Sequence, residues 1–170
     1  MSGSLEVATT DFRVEIGGDG VAELILGAAG KMPATSAAGH AELARIWPRL
    51  AALEEVRSIL VRSEGRGFCA GGTPELVDGL LGEERARLRV MAEARAIVQG
   101  MIECDRPIVS AINGAAVGAG AAVALLADIP SPGAAPRSST GTPRSGWRRA
   151  IMRLRFGRCS AAWPRPNTIF

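Results

Sequence analysis

The chain has 170 residues, of which 47% are hydrophobic, and this suits one soluble globular domain with its own core. Only 4% are aromatic and tyrosine is absent, so the core must be built from aliphatic side chains. The net charge is only +3, and the three cysteines, Cys69, Cys104 and Cys159, lack the CxxC spacing of zinc and redox sites. No signal peptide is recognisable in the first residues, and the odd number of cysteines fits a reducing cytosol. The sequence therefore predicts a cytoplasmic protein without disulfides, metal or a membrane span.

The first third of the chain predicts a β-hairpin followed by a helix. Residues 12–26 alternate between apolar and polar side chains on either side of a glycine-rich turn, a pattern typical of a hairpin. Residues 37–55 carry apolar side chains at helical spacing, and Pro48 predicts that this helix is kinked or split. His40 near its start is interpreted as a surface or capping residue and not as a catalyst.

The middle of the chain predicts two strand ends and a second helix. Residues 59–61 form a short apolar strand, and after a polar turn Phe68–Gly72 reads FCAGG, a second strand end with paired glycines. Cys69 is interpreted as a filler of this segment, because the single histidine lies in a different part of the sequence. Glu83–Glu103 predicts an amphipathic helix, whose apolar side is formed by Leu88, Met91, Ile97, Val98, Met101 and Ile102.

Arg106–Ile129, RPIVSAINGAAVGAGAAVALLADI, admits three interpretations. It is long enough for a transmembrane helix and contains GxxxG, but Pro107 and the Asn-Gly turn interrupt it, and alanine and glycine insert weakly. A Rossmann phosphate loop requires GxGxxG, whereas the glycines here run GxxxGxG late in the chain. The favoured interpretation is a buried strand, turn and helix. Its unpaired N–H groups would bind an oxyanion or phosphate, unless the helix is merely close-packed and structural.

The segments FCAGG and RPIVSAINGAAVGAG together resemble the two signature segments of the enoyl-CoA hydratase/isomerase (crotonase) superfamily. The resemblance covers roughly Phe12–Ile129. It implies an α/β fold, the crotonase-like spiral of ββα units, here incomplete, with residues 1–130 as an acyl-CoA-binding domain that forms the N-terminal part of the fold. It also implies a role in fatty-acid or related acyl-CoA metabolism, with coenzyme A as part of the substrate and no separate cofactor.

The resemblance assigns roles to individual residues. The backbone N–H groups of Ala70 and Ala119 would form an oxyanion hole that stabilises the enolate of the thioester. Loop 27–36 would lie along the CoA moiety. The residues implied to surround the substrate are Lys31, Ala34, Gly71, Gly72, Gly118 and Gly120. For Lys31, contact with a CoA phosphate and a solvated surface position both stay open.

Two acidic positions of the family's hydratases are not acidic here. Ala122 stands two residues after the last glycine of the second segment, where the hydratases carry a glutamate, and Thr73 replaces the aspartate of the first segment. A methyl side chain cannot hold or move a proton, so addition of water by two glutamates is excluded for this chain. Isomerases, thioester hydrolases and C–C bond enzymes of the superfamily place their acids elsewhere, and an intact relative is expected in one of these branches.

Residues 131–170 differ sharply in charge from the rest of the chain. They hold eight arginines and no acidic residue, whereas the first 130 residues hold 12 basic and 17 acidic residues. One interpretation is a disordered basic tail of the kind that binds nucleic acid or membrane surfaces. The favoured one is a frameshift near Pro130, because a neighbouring reading frame over Ser139–Leu154 can be back-translated into a sequence that resembles the family's continuation.

The predicted function therefore has one main form and two alternatives. The main form is an acyl-CoA hydratase/isomerase that is truncated and impaired. The alternatives are a CoA-binding remnant without catalysis and nucleic-acid binding by the basic tail. The resemblance implies trimers or hexamers assembled through C-terminal helices, and without those helices such oligomers are not expected for this chain.

Overall fold

The computed structural model describes residues 3–132, so most of the predicted tail at 131–170, including Cys159, lies outside the described residues. The elements, in chain order, are β1 (Gly3–Leu5), β2 (Phe12–Ile16), β3 (Val21–Leu26), α1 (Ala37–Ala51), β4 (Ser58–Ser63), α2 (Pro74–Gly82), α3 (Glu84–Glu103), β5 (Ile108–Ile112), α4 (Ala119–Leu126) and β6 (Ile129–Pro132). The predicted α/β class is confirmed, and β1, α2 and β6 are elements that the sequence did not reveal.

All six strands form one mixed sheet in the order β1 to β6. The first three are antiparallel, and β3 to β6 are parallel. In β2, Phe12, Val14 and Ile16 are buried and the residues between them are exposed, as expected for a hairpin with one face on the core. Because parallel strands run in the same direction, the loops that follow β3, β4 and β5 meet at one edge of the sheet.

Helix α1 is anchored at its N-cap by a residue that lies far away in the sequence. The side-chain oxygen of Ser36, its N-cap, accepts the N–H of Gly39 at 3.1 Å. The carboxylate of Asp11 in turn accepts the N–H and the hydroxyl of Ser36 at 2.6 and 2.7 Å. The start of α1 is therefore tied to the segment that precedes β2.

The interior of α1 differs from the sequence prediction at two residues. Pro48 does not split the helix, which continues to Ala51, because a proline in the last turn removes a single backbone hydrogen bond near the helix end. The prediction of His40 as a surface residue was wrong. Its side chain is buried, and Nδ1 lies 2.7 Å from the carboxylate of Glu93 on α3.

Helix α3 buries only part of the apolar side that its periodicity predicted. Ile97 and Met101 are buried against α1 and the sheet. Leu88, Met91 and Ile102 are instead 65%, 70% and 69% exposed. The helix thus carries apolar side chains on two faces, and in residues 3–132 only one of them is covered.

The segment Arg106–Ile129 forms a strand, a turn and a helix, as the favoured interpretation predicted. Its strand β5 lies between β4 and β6, and Asn113 in the turn donates from Nδ2 to the carbonyl of Gly65 at 3.0 Å. Within residues 3–132 no helix is both long and apolar enough to cross a membrane. Strand β6 extends to Pro132, two residues beyond the predicted domain boundary at 130.

Candidate oxyanion site

Three extended segments run side by side beyond the carboxyl ends of the parallel strands. They are residues 33–35 after β3, residues 69–72 after β4 and residues 115–118 after β5. The segment at 68–72, predicted as a strand, takes part only in isolated bridges. The bonds that join the three segments are Ala70 N–H to Pro33 O (2.7 Å), Thr35 N–H to Gly71 O (2.8 Å), Cys69 N–H to Ala115 O (3.0 Å) and Val117 N–H to Cys69 O (2.8 Å).

Glycines allow the two signature segments to approach closely. A Cβ atom on Gly120 would lie 2.3 Å from the Cβ of Cys69, so only glycine fits there. A Cβ atom on Gly118 would lie 3.5 Å from the Cα of Gly71. Gly71 and Gly118 also have positive φ angles, 92° and 55°, which favour glycine. The predicted role of these glycines in giving the backbone room therefore has a structural basis.

In the first segment, the N–H groups of Ala70 and Gly72 face opposite ways. The N–H of Ala70, predicted as an oxyanion donor, already donates to the carbonyl of Pro33 at 2.7 Å. The N–H of Gly71 donates to Sγ of Cys69 at 3.4 Å. The N–H of Gly72 makes no hydrogen bond within residues 3–132, and this residue is exposed. The structure therefore moves the candidate donor from Ala70 to Gly72.

In the second segment, the free donors lie at the start of α4. Ala119 is the first residue of the helix and follows the N-cap Gly118. The first bonds of this turn come from the N–H groups of Ala121 and Ala122, at 3.3 and 3.1 Å, and within the described part of the chain those of Ala119 and Gly120 have no acceptor. The positive end of the helix dipole adds to their attraction for a negatively charged oxygen.

The loop before α1 places the predicted CoA-contacting residues next to a further basic residue. Lys31 is exposed, and its carbonyl accepts the N–H of Arg66 at 2.8 Å. Ala34 lies between Pro33 and Thr35, whose backbone groups bond to the FCAGG segment, so the peptide groups of Ala34 face the other side. The sequence interpretation missed Arg66, although a basic residue two positions before FCAGG was a visible signal.

Thr73 and Glu75 are the polar side chains at the start of α2. Thr73 caps this helix by accepting the N–H of Leu76 at 3.3 Å. Hydrogen bonds from the backbone N–H of Glu75 itself and then from the hydroxyl of Thr73 hold the pKa of the Glu75 carboxyl below its usual value. Glu75 therefore stays ionised and is a poor proton donor near neutral pH. Ala122, one turn into α4, is half-buried and has no titratable group.

The site contains no cluster of metal-ligand type. Within residues 3–132, no three His, Cys, Asp or Glu side chains lie close enough together to hold a metal ion. The candidate site is lined by backbone amides, glycines and small side chains, and the basic residues Lys31 and Arg66 lie on nearby loops.

Three known proteins are similar to this chain over part of their length. The chain is 36% identical over 111 residues to a probable enoyl-CoA hydratase of Rhodobacter capsulatus, a match that covers 65% of this chain and 42% of that protein. It is 33% identical over 92 residues to the 1,2-epoxyphenylacetyl-CoA isomerase of Escherichia coli, covering 53% and 35% of the two chains. The crystal structure of an enoyl-CoA hydratase/isomerase from Mycobacterium paratuberculosis superposes with a TM-score of 0.67 at 31% identity, covering 71% and 48%.

The likeness to solved structures confirms the predicted crotonase-like fold, of which this chain contains a part. The chain spans less than half the length of each of these three proteins. The model of the family described as enoyl-CoA hydratase/isomerase matches residues 17–147, which is well over half of the chain. The chain therefore belongs to the enoyl-CoA hydratase/isomerase family.

Proposed function

We propose that this chain binds an acyl-CoA thioester and stabilises negative charge on the thioester oxygen with the N–H groups of Gly72 and Ala119. The observation that carries the proposal is that both N–H groups lack an acceptor within residues 3–132 and lie on two segments that are bonded to each other. Removal of a proton next to a thioester carbonyl places charge on its oxygen. A preorganised amide donor contributes about 3 kcal/mol to the stability of such an oxyanion.

The planar peptide bond explains the direction of the first donor. The N–H of Gly72 belongs to the same peptide unit as the carbonyl of Gly71, and in a trans peptide the two point in opposite directions. The carbonyl of Gly71 points toward Thr35, whose N–H it accepts at 2.8 Å. The N–H of Gly72 must therefore point away from loop 33–35, and this supports its role as a donor to a bound ligand.

In this proposal coenzyme A enters as part of the substrate, and no further cofactor takes part. Lys31 and Arg66 supply positive charge for the CoA phosphates, since both are exposed and lie on adjoining loops. The backbone of Ala34 follows the CoA chain. Fatty-acid or related acyl-CoA metabolism is the corresponding cellular role, and the E. coli relative, named as an isomerase of a CoA thioester, is compatible with it.

In this function the chain stabilises negative charge on the thioester oxygen but does not add water. Ala122 and Thr73 cannot serve as the acid and base that hydration by two glutamates requires. The chain is thus proposed to bind a thioester and favour its enolate without hydrating an enoyl-CoA. The alternative of a CoA-binding remnant uses the same loops but predicts no effect on the enolate.

The test uses acetoacetyl-CoA, whose enolate absorbs in the near ultraviolet. Its absorbance is titrated against pH with and without the full chain. We expect the bound ligand to form the enolate at a lower pH than the free ligand, because two amides stabilise the anion.

The variant Ala119→Pro removes one donor at the first position of α4, where proline is well tolerated. It should reduce the enolate-to-ketone ratio of the bound ligand about 100-fold. Ala37→Pro is the matched control, because it changes the first position of α1, and it should leave the ratio unchanged. Binding of acetoacetyl-CoA without a change in its enolate titration would favour the CoA-binding remnant, and no binding would refute both.

A further inference from the structure

We propose that Thr35 is a positioning residue that orients the N–H of Gly72, acting in part through the side chain of Cys69. This inference rests on the proposed oxyanion site and adds a residue to its support. Thr35 is only 7% exposed, although its hydroxyl makes it polar. Its N–H donates to Gly71 O at 2.8 Å, its carbonyl accepts the N–H of Thr73 at 3.0 Å, and Oγ1 lies 3.6 Å from Sγ of Cys69.

These contacts hold the peptide units on both sides of Gly71. The carbonyl of Gly71 is held by the backbone of Thr35, and the N–H of Gly71 is held by Sγ of Cys69 at 3.4 Å. The same sulfur faces the Thr35 hydroxyl, so one side-chain pair connects the threonine to the N-terminal side of Gly71. Both sides need such restraint, because Gly71 and Gly72 have no side chains of their own to limit rotation.

The position of Thr35 is fixed by the residue that follows it in the chain. The next residue, Ser36, is the N-cap of α1 and is bonded twice to the carboxylate of Asp11, at 2.6 and 2.7 Å. Loop 33–35 therefore cannot follow a movement of the FCAGG segment without disturbing the start of a 15-residue helix. Because Thr35 is fixed to the start of this helix, its bonds restrict the movement of Gly71 and Gly72.

Cys69 connects the same arrangement to the second donor. The backbone of Gly120 packs so closely on Cys69 that an added Cβ would lie 2.8 Å from Sγ. A sulfur held between Thr35 and the first turn of α4 sets the distance between the segment that carries Gly72 and the helix that begins at Ala119. Loss of the Thr35 hydroxyl should therefore misplace one donor relative to the other while leaving both donors present.

The experiment is the pH titration of bound acetoacetyl-CoA, repeated with Thr35→Val, Thr35→Ser and the control Thr10→Val. Thr10 is exposed, and its hydroxyl makes no hydrogen bond within residues 3–132. We expect Thr35→Val to reduce the enolate-to-ketone ratio about tenfold, as a small misplacement of a donor does. Thr35→Ser, which keeps the hydroxyl, should recover most of the lost enolate-to-ketone ratio, and Thr10→Val should match the unchanged chain.

A second variant covers the case in which Thr35→Val does not fold. Cys69→Ala removes the sulfur through which the hydroxyl acts, so it should give a similar loss, and the double variant should be no worse than either single one. The dissociation constant of free coenzyme A should change much less than the enolate-to-ketone ratio in all variants, because the contacts at issue lie at the thioester end.

The possible outcomes separate this inference from the function on which it rests. If the unchanged chain does not favour the enolate, the proposed function fails and the role of Thr35 fails with it. If the unchanged chain favours the enolate and neither Thr35→Val nor Cys69→Ala changes the ratio, the oxyanion site stands and the role of Thr35 is refuted. Equal losses in coenzyme A affinity and enolate ratio would likewise refute it, since they indicate general structural damage.

Discussion

The two candidate donors reach the same site by different structural means. The N–H of Ala119 is directed by the helix that it begins, in which the next residues form regular bonds to the preceding turn. The N–H of Gly72 lies in an irregular segment. Its direction is set by two backbone bonds, from Thr35 N–H to the carbonyl of Gly71 and from Thr73 N–H to the carbonyl of Thr35, which join segments more than 30 residues apart. The first arrangement is local and cooperative, whereas the second depends on a few separate contacts. Changes to distant residues should therefore disturb Gly72 more than Ala119.

The largest effect is expected where the two segments touch, at Gly120. Gly120→Ala places a methyl group 2.3 Å from the Cβ of Cys69, so the free energy of unfolding should fall by about 2–3 kcal/mol as the segments are forced apart. Gly79→Ala is the control, since Gly79 also lies in a helix and has no atom within 4 Å of an added Cβ. It should be neutral or stabilise by up to about 1 kcal/mol. Urea denaturation measures both variants, and equal stability of the two would contradict the close packing described here.

The second prediction concerns the anchor behind Thr35. Asp11→Ala removes two hydrogen bonds from Ser36 and should lower the free energy of unfolding by about 1–2 kcal/mol. Asp19→Ala is a suitable comparison, because Asp19 makes an exposed bond to the N–H of Val21 in the hairpin turn. Its cost should be smaller, below about 1 kcal/mol.

The same pair of variants tests the difference between the two donors. Asp11→Ala should also lower the enolate-to-ketone ratio of bound acetoacetyl-CoA, because loop 33–35 orients Gly72, whereas Asp19→Ala should not. Loss of stability in Asp11→Ala with an unchanged ratio would show that the anchor supports α1 alone.

The contrast between local and distant control also explains what the sequence could predict. The alternation in β2 and the Asn-Gly turn before α4 are local patterns, and both led to the elements that the structure contains. The family resemblance, and not a local pattern, assigned the candidate donor at Ala119, and the structure places this residue at the start of α4. Which N–H group of FCAGG faces outward depends instead on loop 33–35, which pairs with it from a different part of the chain, and no local pattern reports this pairing.

Two side-chain environments illustrate the same limit. His40 lies on the same helical face as Leu43 and Trp47, so its burial was readable from the spacing, but its partner Glu93 on α3 was not. The spacing of the apolar residues in α3 predicted which positions could be buried, but it did not predict which face of the helix packs against the rest of the chain. Leu88 is exposed although its spacing matched that of the buried residues.

The third prediction moves from the thioester end to the CoA end of the site. Lys31→Ala and Arg66→Ala should each weaken the binding of free coenzyme A about two- to fivefold, because each removes one exposed positive charge. The loss should shrink at high salt, where exposed charges are screened. Arg45→Ala, an exposed change on α1, is the control and should have no effect. The enolate-to-ketone ratio should not change in any of them, and a change there would mean that the charges act on the thioester.

The smallest effect is expected in an ion-pair network that touches neither donor. Glu64 accepts hydrogen bonds from Arg13 and Arg62, and these, led by Arg13, hold the pKa of its carboxyl below the usual value. The folded chain therefore keeps Glu64 ionised at a pH at which the unfolded chain has begun to take up a proton. This contribution to stability is fully present above the ordinary carboxyl pKa and is lost as the pH falls through the lowered value.

Glu64→Gln should accordingly be less stable than the unchanged chain near neutral pH, and the difference should shrink as the pH falls below the ordinary carboxyl pKa. The effect is small because the Glu64 side chain is 32% exposed, so solvent screens its charge. Urea midpoints at several pH values measure it, with Glu54→Gln as the control, since Glu54 is exposed and forms no ion pair within residues 3–132. A difference that grows toward acid pH would reverse the sign argued here. Because Glu64 lies outside both donor segments, its substitution should leave the enolate titration of bound acetoacetyl-CoA unchanged, which separates loss of stability from loss of oxyanion geometry.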